Sequence, residues 1–113
     1  MEFRKMATEE KFSKHIALAE IKMNDLMLTE KDSGELAIAL ESSEDILKRL
    51  EKFKDATADY LLEIDKELSY IQDWSEKAKN AIQPFKKRRQ ELKKLLETVR
   101  GGKGKLNLKR NLQ

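Results

Sequence analysis

The fold is decided by residues 35–82, which read ELAIALESSEDILKRLEKFKDATADYLLEIDKELSYIQDWSEKAKNAI. In this stretch apolar residues recur every three or four positions, from Leu36 and Leu47 to Leu68 and Ile82. That spacing places the apolar side chains on one side of an α-helix, as in a coiled coil or a helical bundle. We therefore predict one long helix over about residues 35–82, roughly 70 Å in length at about 1.5 Å per residue.

The repeat of this long helix is irregular in two places. In the seam Leu47, Leu50 and Phe53 follow at two successive spacings of three, and Tyr60, Ile64 and Leu68 follow at two successive spacings of four. Such changes alter the supercoil of packed helices. Residues 55–59, which read DATAD, contain no large apolar side chain. A bend of the helix is predicted there.

A shorter helix is predicted before it, over about residues 8–28. A polar run then leads to Gly34, which predicts a turn. Two capping boxes compete for the start of the next helix, since Thr29 with Asp32 and Asp32 with Glu35 both have the required spacing. The heptad seam of the first helix consists of Phe12, Ile16, Ala19, Met23 and Leu26.

Pro84 predicts the next boundary, because proline suits the first turn of a helix and disrupts its interior. We predict a third helix over about 84–100, ended by Gly101 and Gly102. A kinked continuous helix is the alternative, because the seam passes through Pro84 without a change of phase. The flanking segments are predicted to be a flexible N-terminus, residues 1–7, and a basic disordered tail, residues 101–113.

These elements predict an all-α protein, an elongated helical hairpin or three-helix arrangement with coiled-coil character. The first helix would pack antiparallel on the first half of the long helix, and the third helix on the second half. Each layer would then hold two helices and bury little apolar surface, so we expect a homo-oligomer, with a dimer favoured, to complete the core. The predicted interface residues are Leu68, Ile71, Trp74, Ile82, Phe85, Leu92, Leu96 and Val99.

The charges are sorted along the chain. Residues 83–113 hold eleven Lys/Arg and two acids, a net of +9, whereas residues 35–82 hold seven Lys/Arg and twelve acids, a net of −5. The basic end is therefore expected to meet a nucleic acid, a membrane surface or the acidic middle of the same chain. The residues predicted to contact phosphates in the first case are Lys86, Lys87, Arg88, Lys93 and Lys94.

An acidic row offers partners inside the chain. It consists of carboxylates at intervals of four from Glu51 to Glu67, and such neighbours on one helix repel each other. Arg89 falls on the apolar seam, where a charge is costly unless it is paired. We predict that Arg89 reaches Glu63 or Glu67, within one chain or across a dimer. The same row lets the basic helix pair with the carboxylates of Asp59, Glu63 and Glu67.

Catalytic, metal-binding and cofactor functions find no support in the residues. The chain has no cysteine and a single histidine, His15, so no nucleophile–base set and no His-based metal site can be proposed. The glycines at 101, 102 and 104 lack the spacing of a phosphate-binding loop. We expect no enzymatic activity, no cofactor and no small-molecule substrate. No stretch is apolar enough for a membrane span or a signal peptide, which favours an intracellular protein, cytoplasmic or nuclear.

Long charged helices containing Tyr60-Leu61-Leu62-Glu63-Ile64 and a later Trp74 resemble the helical N-terminal regions of Gag-like retroelement polyproteins, over about residues 35–100. The resemblance includes no diagnostic motif and implies no site residues. Taken together, the residues predict a non-enzymatic helical oligomerisation or protein-interaction module. The alternative is sequence-nonspecific nucleic-acid binding through helix 84–100 and the tail, as part of a Gag-like protein. A membrane-surface role ranks third, since the apolar face of this helix is narrow.

Overall fold

A computed structural model of the chain describes residues 8–28 and 31–102. In these residues it contains three helices, α1 (Glu9–Met27), α2 (Ser33–Glu63) and α3 (Leu68–Gly102). They pack into a bundle of 56 × 28 × 17 Å in which α2 runs antiparallel to both neighbours. The predicted all-α, three-helix class is confirmed. The N-terminus predicted to be flexible, 1–7, and most of the tail predicted to be disordered, 103–113, lie outside the described residues. The first two residues of that predicted tail, Gly101 and Gly102, instead belong to α3.

The starts of α1 and α2 follow the expected local chemistry. The Thr8 hydroxyl accepts a hydrogen bond from the Lys11 amide at 3.1 Å and caps α1. Of the two capping boxes for α2, the one formed by Asp32 and Glu35 is present, with the Asp32 carboxylate accepting from the Glu35 amide at 2.8 Å. Each cap satisfies an amide at a helix start that has no partner within the helix.

The long helix predicted over 35–82 is wrong, because α2 ends at Glu63 and the chain reverses at residues 64–67. The Asp65 amide donates to the Leu62 carbonyl and the Lys66 amide donates to the Leu61 carbonyl, both at 3.0 Å. This pattern is a Schellman motif, in which the residue after the helix cap adopts the left-handed conformation. Asp65 does so, with φ of 65°. Residues 55–59, where a bend was predicted, lie inside α2, so the chain does not reverse there.

The boundary predicted at Pro84 is also wrong, and the alternative of a continuous helix is correct. Pro84 lies inside α3, which extends over 35 residues. Its ring is exposed, whereas Ile82 and Phe85 on either side are buried in the core. The missing amide therefore costs one hydrogen bond on the solvent side, while the buried side chains keep the helix in place.

One core joins all three helices. Phe12 and Met23 of α1 pack with Leu50 of α2 and with Ile82 and Phe85 of α3. The expected arrangement of two thin layers in series is therefore wrong, because the reversal at 64–67 brings α3 alongside α2 and next to α1. A second, smaller cluster fills the far end of the bundle and consists of Leu36, Ala39, Leu92 and Leu96.

Two polar residues of α2, Ser43 and Thr57, are fully buried. Each hydroxyl donates to a backbone carbonyl of its own helix, at 2.7 and 2.8 Å. These bonds explain how hydroxyls are accommodated in an apolar core. Near the reversal the seam shifts, since Leu61 is buried whereas Ile64 is 47 % exposed.

Replacing Asp65 tests the reversal. Asp65→Val places a β-branched residue in the left-handed region, which should lower the free energy of unfolding by about 1–2 kcal/mol. Asp65→Gly should be tolerated, because glycine has no Cβ to clash. Urea denaturation followed by circular dichroism measures both. Glu67→Val, two residues away, is the control, and an Asp65→Val variant as stable as this control would contradict the motif.

The first turns of α1 and α3 contact each other through Tyr70 and Glu9. The Tyr70 hydroxyl donates to both carboxylate oxygens of Glu9, at 2.7 and 3.0 Å. This hydrogen bond, with smaller effects of desolvation and of the nearby negative charge, raises the pKa of Tyr70 above its ordinary value of 10.0. The protonated phenol is therefore the form that the folded chain favours.

The same contact predicts a dependence on alkaline pH. Because the pKa of Tyr70 is higher in the folded chain than in the unfolded chain, the contact stabilises the fold below pH 10.0 and loses that effect as the pH rises through the raised pKa. In a Tyr60→Phe background, absorbance at the phenolate band should give a Tyr70 midpoint above 10.0. Glu9→Gln should lower this midpoint, whereas Glu10→Gln should leave it unchanged. Equal midpoints in all three proteins would contradict the assignment.

Candidate interaction surfaces

The reversal at 64–67 determines which charges face each other. Arg89 lies about 30 Å along α3 from Leu68, at about 1.5 Å per residue, and Glu63 and Glu67 remain at the turn. The predicted pairing of Arg89 with Glu63 or Glu67 within one chain is therefore wrong, whereas the same pairing across a dimer stays a prediction. Arg89 instead lines a groove between α2 and α3 together with Glu41 and Glu44.

Among the described residues, the basic helix nevertheless pairs with the acidic middle of the chain through Lys86. Lys86 Nζ lies 3.3 Å from a carboxylate oxygen of Glu51, an ion pair between α3 and α2. Both side chains are about 40 % exposed, at 42 % and 40 %, so the pair is partly screened by solvent. Glu51 also pairs with Lys54 of its own helix at 3.5 Å. The first member of the acidic row thus has cationic partners, while Asp59, which was also predicted to pair, is exposed and makes no ion pair within 8–28 and 31–102.

The predicted phosphate-contacting residues fall into two groups. Lys87, Lys93 and Lys94 are exposed and make no ion pair with the described residues. Lys86 is paired with Glu51, and Arg88 is partly buried. The Nη1 atom of Arg88 and the Nε atom of Arg89 are shielded from solvent without a hydrogen-bond partner. Of the predicted set, the three lysines therefore form a solvent-facing basic surface on α3.

The predicted interface residues also fall into two groups, one buried in the core and one outside it. Ile82, Phe85, Leu92 and Leu96 are buried between the helices of a single chain, so they are not available to a second molecule. This prediction fails for the same reason as the predicted boundary at Pro84, because the reversal at 64–67 packs the apolar face of α3 against α2 and α1. The other four predicted residues lie outside the buried core, and they are Ile71, Trp74, Val99 and Leu68.

Ile71 and Trp74 are partly buried, and Trp74 packs edge-on against Phe12, with ring centroids 5.3 Å apart. Val99, near the end of α3, is 38 % exposed. Leu68 differs from all of them, because 67 % of it is exposed at the start of α3. Of the predicted interface, Leu68 is the side chain most accessible to a partner.

Leu68 belongs to a group of apolar side chains at the reversal, which we call the turn patch. It consists of Leu62, Ile64 and Leu68, exposed by 56, 47 and 67 %. Sequence reasoning placed Ile64 and Leu68 in a buried seam and overlooked Leu62. The signal available was the pair of four-residue spacings between Tyr60 and Leu68, which marks the place where the seam stops following one helix face.

The turn patch is surrounded in sequence by negative charge, which we call the acidic rim. Within residues 59–68 there are four carboxylates and one lysine, a net of −3. Lys66, the one cation of this stretch, lies over the Tyr70 ring, with Nζ 4.9 Å from the centroid. The rim consists of Asp59, Glu63, Asp65 and Glu67, all exposed.

In the described part of the chain no three His, Asp or Glu side chains are grouped as a metal site would require. His15 contacts the Phe53 ring, with centroids 4.2 Å apart, beside a cavity of about 20 Å³ that is too small for an organic ligand. None of the three helices is both long enough and apolar enough to cross a membrane.

Comparisons with protein-family models, with curated proteins and with solved structures found no match to this chain. The resemblance to Gag-like polyproteins therefore rests on the quoted residues alone.

Proposed function

We propose that this chain is a non-enzymatic helical self-association module that uses the turn patch as a contact surface. The exposure of Leu62, Ile64 and Leu68 is the observation that supports the proposal most directly. Single exposed apolar residues are common on protein surfaces, but several close together at one end of a domain are typical of contact sites. Here three of them bracket one short turn.

The burial of the α3 core residues within one chain favours the turn patch, and not the apolar face of α3, as the contact surface. Because Ile82, Phe85 and Leu92 are already buried within the chain, a partner is not needed to complete the core. Association would therefore take place between chains that are already folded. The turn patch is small compared with interfaces that bury about 1,200–2,000 Å², so the expected affinity is modest, with dissociation constants of about 10–100 μM.

Leu68→Glu tests the proposal. A glutamate in the turn patch would have to be desolvated on association without a partner, so self-association should be lost. The fold should persist, because Leu68 is already exposed. Light scattering coupled to size exclusion measures the mass over a range of concentrations around the expected dissociation constant. Wild-type mass should rise with concentration above the 13.2 kDa of one chain.

Ile21→Glu is the matched control. Ile21 is 61 % exposed on α1, similar to Leu68, so the variant adds the same charge away from the turn patch and should associate like the wild type. Leu92→Glu, by contrast, should unfold the chain, since that side chain is 1 % exposed. A wild-type mass of one chain at all concentrations would refute the proposal, as would equal loss of association in the Ile21→Glu and Leu68→Glu variants.

The exposed lysines favour a second candidate function, binding of nucleic-acid phosphates. Lys87, Lys93 and Lys94 face solvent on α3 and make no ion pair with the described residues, and residues 103–113 add four Lys/Arg without an acid. Contacts to phosphates would be insensitive to sequence, because they carry no base information.

For duplex DNA, three lysine contacts predict a log–log salt slope of about −2.7. Replacing Lys87, Lys93 and Lys94 with Gln should remove most of this slope and leave the helicity unchanged. Lys48→Gln on α2, also exposed, is the control. Fluorescence anisotropy of a labelled duplex measures the binding, and binding that is equally strong in the triple variant would exclude this surface.

A further inference from the structure

We propose that the turn patch of one copy binds the basic segment 103–113 of a second copy, so that the chain assembles head to tail. This inference rests on the proposed self-association and names its two surfaces. Residues 103–113, which read KGKLNLKRNLQ, contain four Lys/Arg, no acid and three leucines. We call them the basic tail. Their composition matches the turn patch, which combines apolar side chains with the acidic rim.

Charge favours the basic tail, and not a second turn patch, as the binding partner of the turn patch. Two turn patches brought face to face would also bring two acidic rims together, each with a net charge of −3 over residues 59–68. Like charges across an interface are unfavourable, whereas a segment of net charge +4 meets the rim with opposite sign. Leu106, Leu108 and Leu112 can then cover Leu62, Ile64 and Leu68.

The length of α3 excludes the same pairing within one chain. The 35 residues of α3 separate Leu68 from Gly102 by about 50 Å, at about 1.5 Å per residue. The basic tail has 11 residues and spans at most about 40 Å when fully extended, at about 3.6 Å per residue. Every residue of the basic tail therefore stays at least about 10 Å short of the turn patch of its own molecule. A second copy has no such restriction.

The geometry makes the contact heterologous, because two different surfaces meet. Such a contact leaves one free surface at each end of a pair, and further copies can add to it. The mass of the wild type should therefore increase beyond two chains as concentration rises. Association should also weaken at least about tenfold between about 50 mM and 500 mM salt, since exposed charges are screened over a few ångströms at the higher value.

Complementation between two full-length variants tests the inference. The first variant, Leu68→Glu, has a defective turn patch and an intact basic tail. The second, the tail-reversed variant, has an intact turn patch and carries glutamate in place of each cation of the tail. Its four substitutions are Lys103→Glu, Lys105→Glu, Lys109→Glu and Arg110→Glu. Circular dichroism and thermal unfolding confirm that each variant is folded before the masses are measured.

Each variant alone should have the mass of one chain, because each lacks one of the two surfaces. Mixed, they should form a one-to-one complex that does not grow, since the only intact turn patch meets the only intact basic tail. Ile21→Glu in place of Leu68→Glu is the control, and that variant should self-associate and grow like the wild type.

Other outcomes separate this inference from the proposed function. If the tail-reversed variant associates like the wild type while Leu68→Glu does not, the turn patch is a contact surface but the basic tail is not its partner. If both variants are single chains and their mixture forms no complex, the head-to-tail contact is refuted. A wild type that remains a single chain throughout overturns both proposals.

Discussion

The reversal at residues 64–67 is the constraint on which the rest of the bundle depends. Its geometry requires Asp65 to adopt a left-handed backbone, and two amide–carbonyl bonds of 3.0 Å hold the end of α2 in that form. Because α3 begins there, Ile82 and Phe85 arrive beside Phe12 of α1. A reversal at Pro84 instead would have left these side chains without their present neighbours.

The spacing of apolar residues predicted which residues are buried better than it predicted where the helices end. Phe12, Met23, Leu50 and Ile82 were assigned to seams and are buried. The turn itself contains neither glycine nor proline, the residues that normally indicate one, whereas a proline lies in the middle of α3. Local propensity is a weak guide to where a helix ends, because the packing of its apolar face contributes more to the stability of a helix than any single residue.

The interaction surfaces were less predictable for the same reason. Sorting of charge along the chain was visible in the sequence, but the partner of each charge depends on where the chain reverses. Lys86 pairs with Glu51, and Arg89 lines a groove with Glu41, because α3 runs back along α2 from residue 68. Likewise, the seam position Leu68 became exposed while Leu92 became buried. Exposure, which decides what a partner can touch, is a property of the assembled bundle.

Charge sorting and the length of α3 together support the proposed assembly. Where opposite charges lie close in space, a chain can neutralise itself, as Lys86 and Glu51 do across α2 and α3. The length of α3 exceeds the reach of the 11 residues of the basic tail, so the tail cannot contact the acidic rim of its own molecule. In the proposed head-to-tail contact their attraction acts between molecules, so association should depend on concentration and salt. Since the apolar part of the contact is only three side chains, neither the turn patch nor the charges alone would suffice for stable association.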